Sequence, residues 1–204
     1  IDSGLMRQSR FSPRTGMSRL ETVTVSRAAS DQRCGRAGRL SPGHCYRLWS
    51  EAEDRGLVKH SQPEIRRADL ASLALELAHW GVKDYRDLTW LDCPPAAAME
   101  QARSLLVQLG ALSASGDVTS HGRRLAASGI HPRLAHMIIT SQPLGLGRLA
   151  CELAALLGER VGLSAGEIDM RIILDAVRRS DKMLDPALLQ KVRTETAYLA
   201  MVFQ

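Results

Sequence analysis

Aromatic residues are scarce in this sequence. They make up 4% of its 204 residues, whereas leucine and alanine are abundant. Leucine and alanine favour helices, while strands are enriched in aromatic and β-branched residues. The composition therefore predicts a core that is mostly helical. With 45% hydrophobic residues, the chain can bury a sizeable core and hold more than one folded unit.

Long apolar runs are missing as well. No run reaches the roughly 18 residues that a membrane-spanning helix needs. The first residues also lack the charged and apolar pattern of a secretory signal. These two absences predict a cytoplasmic protein that has no membrane partner.

Metal-binding patterns are equally absent. The sequence contains four cysteines, none of which form a Cys-x-x-Cys pair: Cys34, Cys45, Cys93 and Cys151. His131 and His136 are five residues apart, so they do not share a helical face. A disulfide framework and a zinc site are therefore disfavoured, and we expect no metal site.

Positive charge is the main feature that the sequence does have. The formal net charge is +5, and arginine far outnumbers lysine. Basic residues are concentrated between Arg7 and Arg39, whereas the later segments are closer to neutral. This balance permits a nucleic-acid or nucleotide partner without establishing one.

The most informative stretch covers residues 26–39. It follows a predicted strand over residues 21–25, and its polar first residues predict a short helix. At about 100° per residue, the side chains of Gln32, Arg36 and Arg39 fall within roughly 60° of one another. These three polar groups are therefore predicted to share one face.

The neighbouring residues lie elsewhere on the predicted helix. Arg33 is about 100° away from Gln32, and Cys34 is on the opposite face. Gly35 and Gly38 carry no side chain, so another backbone or a ligand could approach this flank closely.

One amide and two guanidinium groups on one face suit a polyanion whose charge grows during a reaction. Phosphoryl transfer is such a reaction, and arginines stabilise the charge that develops on the terminal phosphate. The alternative interpretation is a surface helix whose arginines form solvent-exposed salt bridges.

The string Gln-Arg-x-Gly-Arg-x-Gly-Arg at residues 32–39 resembles motif VI of superfamily 2 helicases. Extended over residues 26–39 and 41–48, the sequence is similar to the DEAH-box branch. In that family, the glutamine and the second and third arginines face the γ-phosphate of ATP between two RecA-like domains. The resemblance implies that Gln32, Arg36 and Arg39 bind ATP and take part in catalysis, the two arginines as arginine fingers.

Two further segments narrow the resemblance. Residues 76–81 and 142–147 look most like bacterial helicases of the HrpB type. The resemblance implies ATP with Mg²⁺, yet the sequence has no Gly-x-x-x-x-Gly-Lys-Ser/Thr loop and no Asp-Glu-Ala-His box. It begins with Ile1 and ends on an apolar stretch, residues 197–203. We therefore expect a C-terminal fragment, inactive alone, whose upstream RecA-like domains supply the triphosphate and magnesium ligands.

A hairpin precedes the motif. Residues 7–12 and 17–25 are predicted to be extended arms, joined by a Pro-Arg-Thr-Gly turn at 13–16. DEAH-box proteins carry a hairpin here that lies against the nucleic acid. The resemblance thus makes Arg10 and Arg14 candidates for phosphate contact. A solvated hairpin tip is the alternative.

The resemblance implies a mixed, mainly α fold in three parts. Residues 1–62 correspond to the C-terminal edge of a RecA-like α/β domain, 63–130 to a winged helix and 131–204 to an incomplete helical ratchet domain. The pattern at 111–119 predicts a two-stranded wing, after which Thr119 caps a helix. The helix at 96–109 has one basic residue, Arg103, so we expect the winged helix to serve packing more than base readout.

Helical spacing and capping signals predict the remaining helices. Apolar residues after Asp69 recur at helical spacing up to Trp80, and Gly81 supplies a stop. Ser164 and Glu167 match a capping box that predicts a helix over 165–178.

The leading hypothesis is part of an ATP-dependent RNA helicase that couples ATP hydrolysis to translocation on nucleic acid and to its unwinding. Its expected partner is single-stranded or partly duplex RNA. One alternative is a non-enzymatic winged-helix nucleic-acid-binding protein, against which the motif VI string argues. Another is a DNA-acting superfamily 2 helicase, since contacts to the 2′-OH cannot be identified in the sequence.

Overall fold

The computed structural model describes residues 1–12, 16–158, 169–180 and 184–203. Most of the predicted turn at 13–16, including Arg14, lies outside the described residues, and so does the predicted capping box of Ser164 and Glu167.

The described residues form one two-stranded sheet and nine α-helices. The strands are β1 (Leu5–Ser12) and β2 (Met17–Thr24). The helices, in chain order, are α1 (Arg27–Ala37), α2 (Glu51–Gly56), α3 (Ala71–His79), α4 (Ala96–Gln108), α5 (Ser120–Ala127), α6 (Pro132–Ser141), α7 (Gly147–Gly158), α8 (Met170–Arg179) and α9 (Pro186–Val202). The predicted mainly helical fold class is confirmed.

The strands β1 and β2 form an antiparallel hairpin. Their register runs from Leu5 opposite Thr24 to Ser12 opposite Met17. The two predicted extended arms are therefore confirmed, although β1 begins two residues earlier than predicted.

The chain divides into two compact units. The first contains residues 1–70 and 84–104, and the second contains residues 71–83 and 105–204. The first unit buries Val25 and Met99, and the second buries Leu125, Ile138 and Leu199. The domain boundaries expected near residues 62 and 130 stay a prediction. Within the described residues, no helix has the length and apolar character needed to cross a membrane.

The second unit is built from packed helices. Helix α7 contacts α6, α8 and α9, while α3 contacts α5 and α6. Helix α3 buries Ala71, Ala74 and Leu75 at helical spacing, as expected for a core-facing stripe. The prediction that Trp80 belongs to the apolar stripe of this helix is wrong. The helix ends at His79, and Trp80 beyond it is 72% exposed.

The wing predicted in this unit is present as a short bridged pair. Leu112 pairs antiparallel with Val118, and the Ser113 N–H donates to the Asp117 carbonyl at 2.8 Å. The Thr119 hydroxyl oxygen accepts from the Gly122 N–H at 2.9 Å and caps α5, as predicted.

Helices α5 and α6 are joined by a histidine pair. His121 Nε2 and His136 Nδ1 are 2.9 Å apart, and the rings meet edge to face. One nitrogen must donate and the other accept, so two protonated rings cannot form this bond. Burial lowers the pKa of His121, and the charges of His136 and Arg124 lower it further.

We expect mild acid to weaken the fold through His121. The fold favours the neutral imidazole, so its contribution to stability is full above the unfolded pKa of about 6.5. It is lost as the pH falls below that value toward the lower folded pKa, where the unfolded chain takes up the proton first. His121→Gln should therefore flatten the dependence of Tm on pH between about pH 7.5 and 5.5.

The measurement is thermal unfolding of the full chain, followed by circular dichroism at several pH values. His60→Gln is the control, because His60 is an exposed histidine of the other unit. Equal slopes for the wild type and His121→Gln would contradict the prediction.

Candidate arginine site around helix α1

Helix α1 starts at a firmly held N-terminus. The Ser26 hydroxyl oxygen accepts from the Ala29 N–H at 3.3 Å and from the Ser61 hydroxyl at 3.1 Å. The N–H groups of Arg27 and Ala28 donate to the carbonyls of residues 58 and 59 at 2.9 and 3.2 Å. The chain itself thus satisfies the amides that could otherwise hold an anion at this helix end.

Arg33 fixes the helix to the start of the chain. Its Nη1 lies 3.0 Å from Asp2 Oδ1 and donates to the Leu5 carbonyl at 3.1 Å. The Asp2 side chain is 6% exposed. Arg33 therefore braces the helix, and its side chain points away from the Gln32 face, as its helical angle predicted.

The charge of Asp2 is stabilised despite its burial. Burial acts to raise the pKa of Asp2, but hydrogen bonds from the Gly4 N–H and Arg33 and the charges of Arg33 and Arg47 outweigh it and lower the pKa. The paired carboxylate stabilises the fold at neutral pH, and this contribution is lost as the pH falls through the folded pKa.

Arg47 forms a second anchor that the sequence did not single out. Its Nη2 lies 2.7 Å from Asp31 Oδ1 on α1, and its Nη1 lies 3.2 Å from Asp54 Oδ1. The Asp54 carboxylate also accepts from Trp49 Nε1 at 2.9 Å, and the guanidinium of Arg47 lies over the Trp49 ring. The sequence signal that could have pointed to Arg47 is the Tyr-Arg-Leu string at 46–48, which belongs to the DEAH-box resemblance. The carboxylates that pair with Arg47 are set by long-range packing.

A close backbone approach holds the segment after the helix. A Cβ added to Gly43 would lie 2.0 Å from the Ala37 carbonyl oxygen, so the chain can pass here only without a side chain. Nothing lies within 4 Å of the corresponding Cβ position at Gly35. The predicted close approach therefore occurs at Gly43, while the flank at Gly35 is open.

Gln32, Arg36 and Arg39 are all exposed. Within the described part of the chain, no hydrogen bond or ion pair engages their side chains, in contrast to Arg33 and Arg47. Gln32 and Arg36 are four residues apart on α1, so they share a face.

The position of Arg39 differs from the prediction. Helix α1 ends at Ala37 with Gly38 as its C-cap, so Arg39 lies past the helix. The predicted angle for Arg39, derived from helical spacing, does not apply. Glycines at 35 and 38 weaken the helix, and the segment leading to Gly43 then follows a different path.

The hairpin carries a second group of arginines. Arg10 lies directly opposite Arg19, and Glu21 lies 3.6 Å from Arg10 Nη1 and 2.7 Å from Arg19 Nη2. Both guanidinium groups are more than 70% exposed. Like charges opposite each other in a sheet repel, and one carboxylate neutralises only one of them. This arrangement leaves room for a further anion.

Arg67 anchors the hairpin to the rest of the first unit. Its Nη1 donates to the Ser9 carbonyl at 2.9 Å, and the Phe11 N–H donates to the Arg67 carbonyl at 3.1 Å. No local pattern in the sequence predicts this contact, which joins residues 58 positions apart. Within the described residues, no group of three His, Cys, Asp or Glu side chains is placed to hold a metal ion.

The sequence matches known helicases. It is 40% identical over 159 residues to ATP-dependent RNA helicase HrpB of Escherichia coli K12, covering 78% of this chain and 20% of that protein. It is 38% identical over 158 residues to pre-mRNA-splicing factor ATP-dependent RNA helicase prp22 of Schizosaccharomyces pombe, covering 77% of this chain and 14% of that protein. No family model matches the chain.

The fold matches two solved structures of a helicase. The crystal structure of Escherichia coli DEAH/RHA helicase HrpB aligns with a TM-score of 0.80 and 35% identity, over 98% of this chain and 24% of that chain. A second structure, described as the DExH-box NTPase HrpB, aligns with a TM-score of 0.74 at 35% identity, over 98% of this chain and 23% of that chain. The chain spans about a fifth of the length of its HrpB relative.

These matches confirm the predicted resemblance to the DEAH-box helicases, to a part of which the chain is similar. The relative and the two solved structures named HrpB agree with the HrpB type that the resemblance predicted.

The contact at Gly43 can be tested by a matched pair of alanine substitutions. Gly43→Ala should lower the free energy of unfolding by about 1–3 kcal/mol, because the added Cβ forces the loop away from Ala37. Gly35→Ala should raise it by about 0.5–1 kcal/mol, because alanine favours a helix interior and has open space there. Urea unfolding of the full chain measures both. A Gly43→Ala variant as stable as the wild type would show that this close approach is not required.

Proposed function

We propose that this chain is a part of an ATP-dependent RNA helicase in which Gln32, Arg36 and Arg39 contact the terminal phosphate of ATP. In this proposal Arg36 and Arg39 act as arginine fingers, and ATP hydrolysis is coupled to translocation on RNA and to its unwinding. Residues 1–62 belong to the second RecA-like domain, 63–130 to a winged helix and 131–204 to a ratchet domain. The phosphate loop, the acidic box and the magnesium ligands belong to upstream RecA-like domains.

The observation that carries this proposal is the different use of arginines around one helix. Arg33 is held by the buried Asp2, and Arg47 is held by the half-buried Asp54 and the exposed Asp31; both arginines fix α1 in place. Arg36 and Arg39 reach solvent without a carboxylate partner in the described part of the chain. Structural arginines are normally paired in this way, whereas arginines that serve a ligand must be available to it.

The side chains fit the charge and shape of a phosphate group. Each guanidinium presents a planar fork of N–H donors that matches phosphate oxygens, and the Gln32 amide adds a neutral donor. When bound, ATP with Mg²⁺ supplies the phosphoryl group that is transferred to water. Arg36 and Arg39 bind the phosphate oxygens and offset the negative charge that grows on them. Arg33 keeps the helix in position and takes no part in the reaction.

Lysine substitutions test the arginine-finger role in the longer helicase to which we propose the chain belongs. Arg36→Lys and Arg39→Lys keep the charge but remove the planar fork. Each should lower kcat by roughly 10³–10⁵-fold, the size expected for an arginine that stabilises transition-state charge, while RNA binding survives. RNA-stimulated ATP hydrolysis and RNA affinity are measured side by side.

Arg33→Ala is the contrasting variant. It should reduce thermal stability, because the buried Asp2 carboxylate loses its charged partner. Near-normal kcat in both lysine variants would contradict the finger role and favour a surface helix with solvated arginines.

We further propose that the hairpin contacts the nucleic-acid backbone through Arg10, with Arg19 beside it. Arg14, in the turn predicted from the sequence, is a further candidate for this contact. The crowding of Arg10 and Arg19 around Glu21 supports this, since an incoming phosphate would relieve the repulsion between the two guanidinium groups.

Arg10→Ala should weaken RNA binding uniformly across sequences and make it less dependent on salt. Losing one phosphate contact on a single strand should reduce the slope of log K against log salt by about 0.7. Arg86→Ala is the control, because Arg86 is also exposed but is paired with Asp84.

The titrations use RNA and DNA strands of the same sequence. An unchanged slope in Arg10→Ala, or the same loss in Arg86→Ala, would contradict the hairpin contact. Tighter binding and stronger stimulation by DNA would favour the DNA-acting alternative.

A further inference from the structure

A pair of cysteines lies between two fixed contacts on the face of α1 opposite the Gln32 face. At one end, Arg47 bonds Asp31 at 2.7 Å; at the other, Gly43 meets the Ala37 carbonyl. Residues 31, 34 and 37 lie along one side of the helix, because each follows the previous one by three residues. Residues 43 and 47 of the opposing segment both contact that face, which places Cys45 between them against Cys34.

The two thiols lie close enough to influence each other. Burial raises the pKa of Cys45, and a hydrogen bond with Cys34 raises it further. Both cysteines are free and half-buried, so a small oxidant can reach them. The other cysteines differ, because Cys93 is exposed and Cys151 is buried. Neither the sequence spacing nor the proposed function assigns a role to the Cys34–Cys45 pair.

We propose that Cys34 and Cys45 are an oxidisable dithiol, which a hydroperoxide converts into a reversible disulfide. The disulfide closes residues 34–45, which carry Arg36 and Arg39, into a covalent loop. The cysteine pair itself follows from the packing of α1. Its effect on turnover rests on the proposed function, in which Arg36 and Arg39 serve the phosphate.

The chemistry balances with hydrogen peroxide as the oxidant. The thiolate of Cys34 attacks one peroxide oxygen, which breaks the O–O bond, leaves a sulfenic acid and releases water after protonation. The Cys45 sulfur then attacks the Cys34 sulfur, and the hydroxyl leaves as a second water. Two thiols and one peroxide thus give one disulfide and two waters. A dithiol reductant reverses the change by thiol–disulfide exchange.

The surrounding contacts favour the Cys34–Cys45 disulfide over further oxidation of either sulfur. The Arg47–Asp31 pair and the Gly43 contact hold the segment against the helix before oxidation, so closing the loop requires little additional ordering. A sulfenic acid with a thiol already beside it condenses with that thiol before further oxidation.

The test treats the full chain with hydrogen peroxide, blocks remaining thiols by alkylation and maps peptides without reduction. The expected result is a peptide that joins Cys34 to Cys45 and is lighter by two hydrogen atoms, with a fall from four free thiols to two. Dithiothreitol should restore all four. Cys93→Ser is the matched control and should form the same link, whereas Cys34→Ser should not. Separate overoxidation of the two cysteines, or links through Cys93, would overturn the proposal.

The functional arm compares kcat of the oxidised and reduced longer helicase. Peroxide should lower kcat reversibly in the wild type but not in the Cys34→Ser/Cys45→Ser variant. A disulfide that forms without changing kcat would overturn the effect on turnover. If no disulfide forms while Arg36→Lys and Arg39→Lys still lose activity, the redox proposal fails and the proposed function stands.

Discussion

The buried carboxylate of Asp2 is the constraint on which the geometry of the first unit depends. Its side chain pairs with Arg33 on α1, and its backbone bonds the segment at residues 46–48 from both its N–H and its carbonyl. A buried charge is tolerated only when it is paired, and removing one partner costs roughly 3–5 kcal/mol. The cost here lies toward the lower end, because the Arg33 side chain is 32% exposed. This pair therefore sets where α1 and the segment after it lie.

The positions of the nearby carboxylates determine which arginines are paired and which remain available to a ligand. Asp2, Asp31 and Asp54 are all engaged, the first by Arg33 and the other two by Arg47. The charges of Arg36 on α1 and of Arg39 just beyond it are therefore left uncompensated, within the part of the chain that the structure describes. The arginines in and around α1 thus separate into members that hold the fold and members that can hold a ligand.

Local patterns explain what the sequence could predict. The β1–β2 hairpin, the Thr119 cap and the orientation of Arg33 follow from alternation, capping chemistry and helical angle, each of which involves residues close in the chain. The errors arise where tertiary contacts decide. The apolar pattern of α3 continues to Trp80, but the helix ends at His79. Likewise, the polar pattern of α1 continues to Arg39, but that helix ends at Ala37. The proximity of Cys34 and Cys45 depends on the close approach of Gly43 to Ala37, which residue spacing does not encode.

Arg33 also connects the two arginine groups of the first unit. The same guanidinium nitrogen that pairs with Asp2 donates to the carbonyl of Leu5, the first residue of β1. Farther along that strand, Arg67 holds the backbone at Ser9 and Phe11, so β1 is fixed both at its start and toward its end. A displacement of α1 caused by a ligand at Arg36 would therefore act on β1 through a charged hydrogen bond. A hydrogen bond to a charged group contributes about 1.5–3 kcal/mol at most sites and less where it is exposed, as here, so this bond adds modestly to the contacts between α1 and β1.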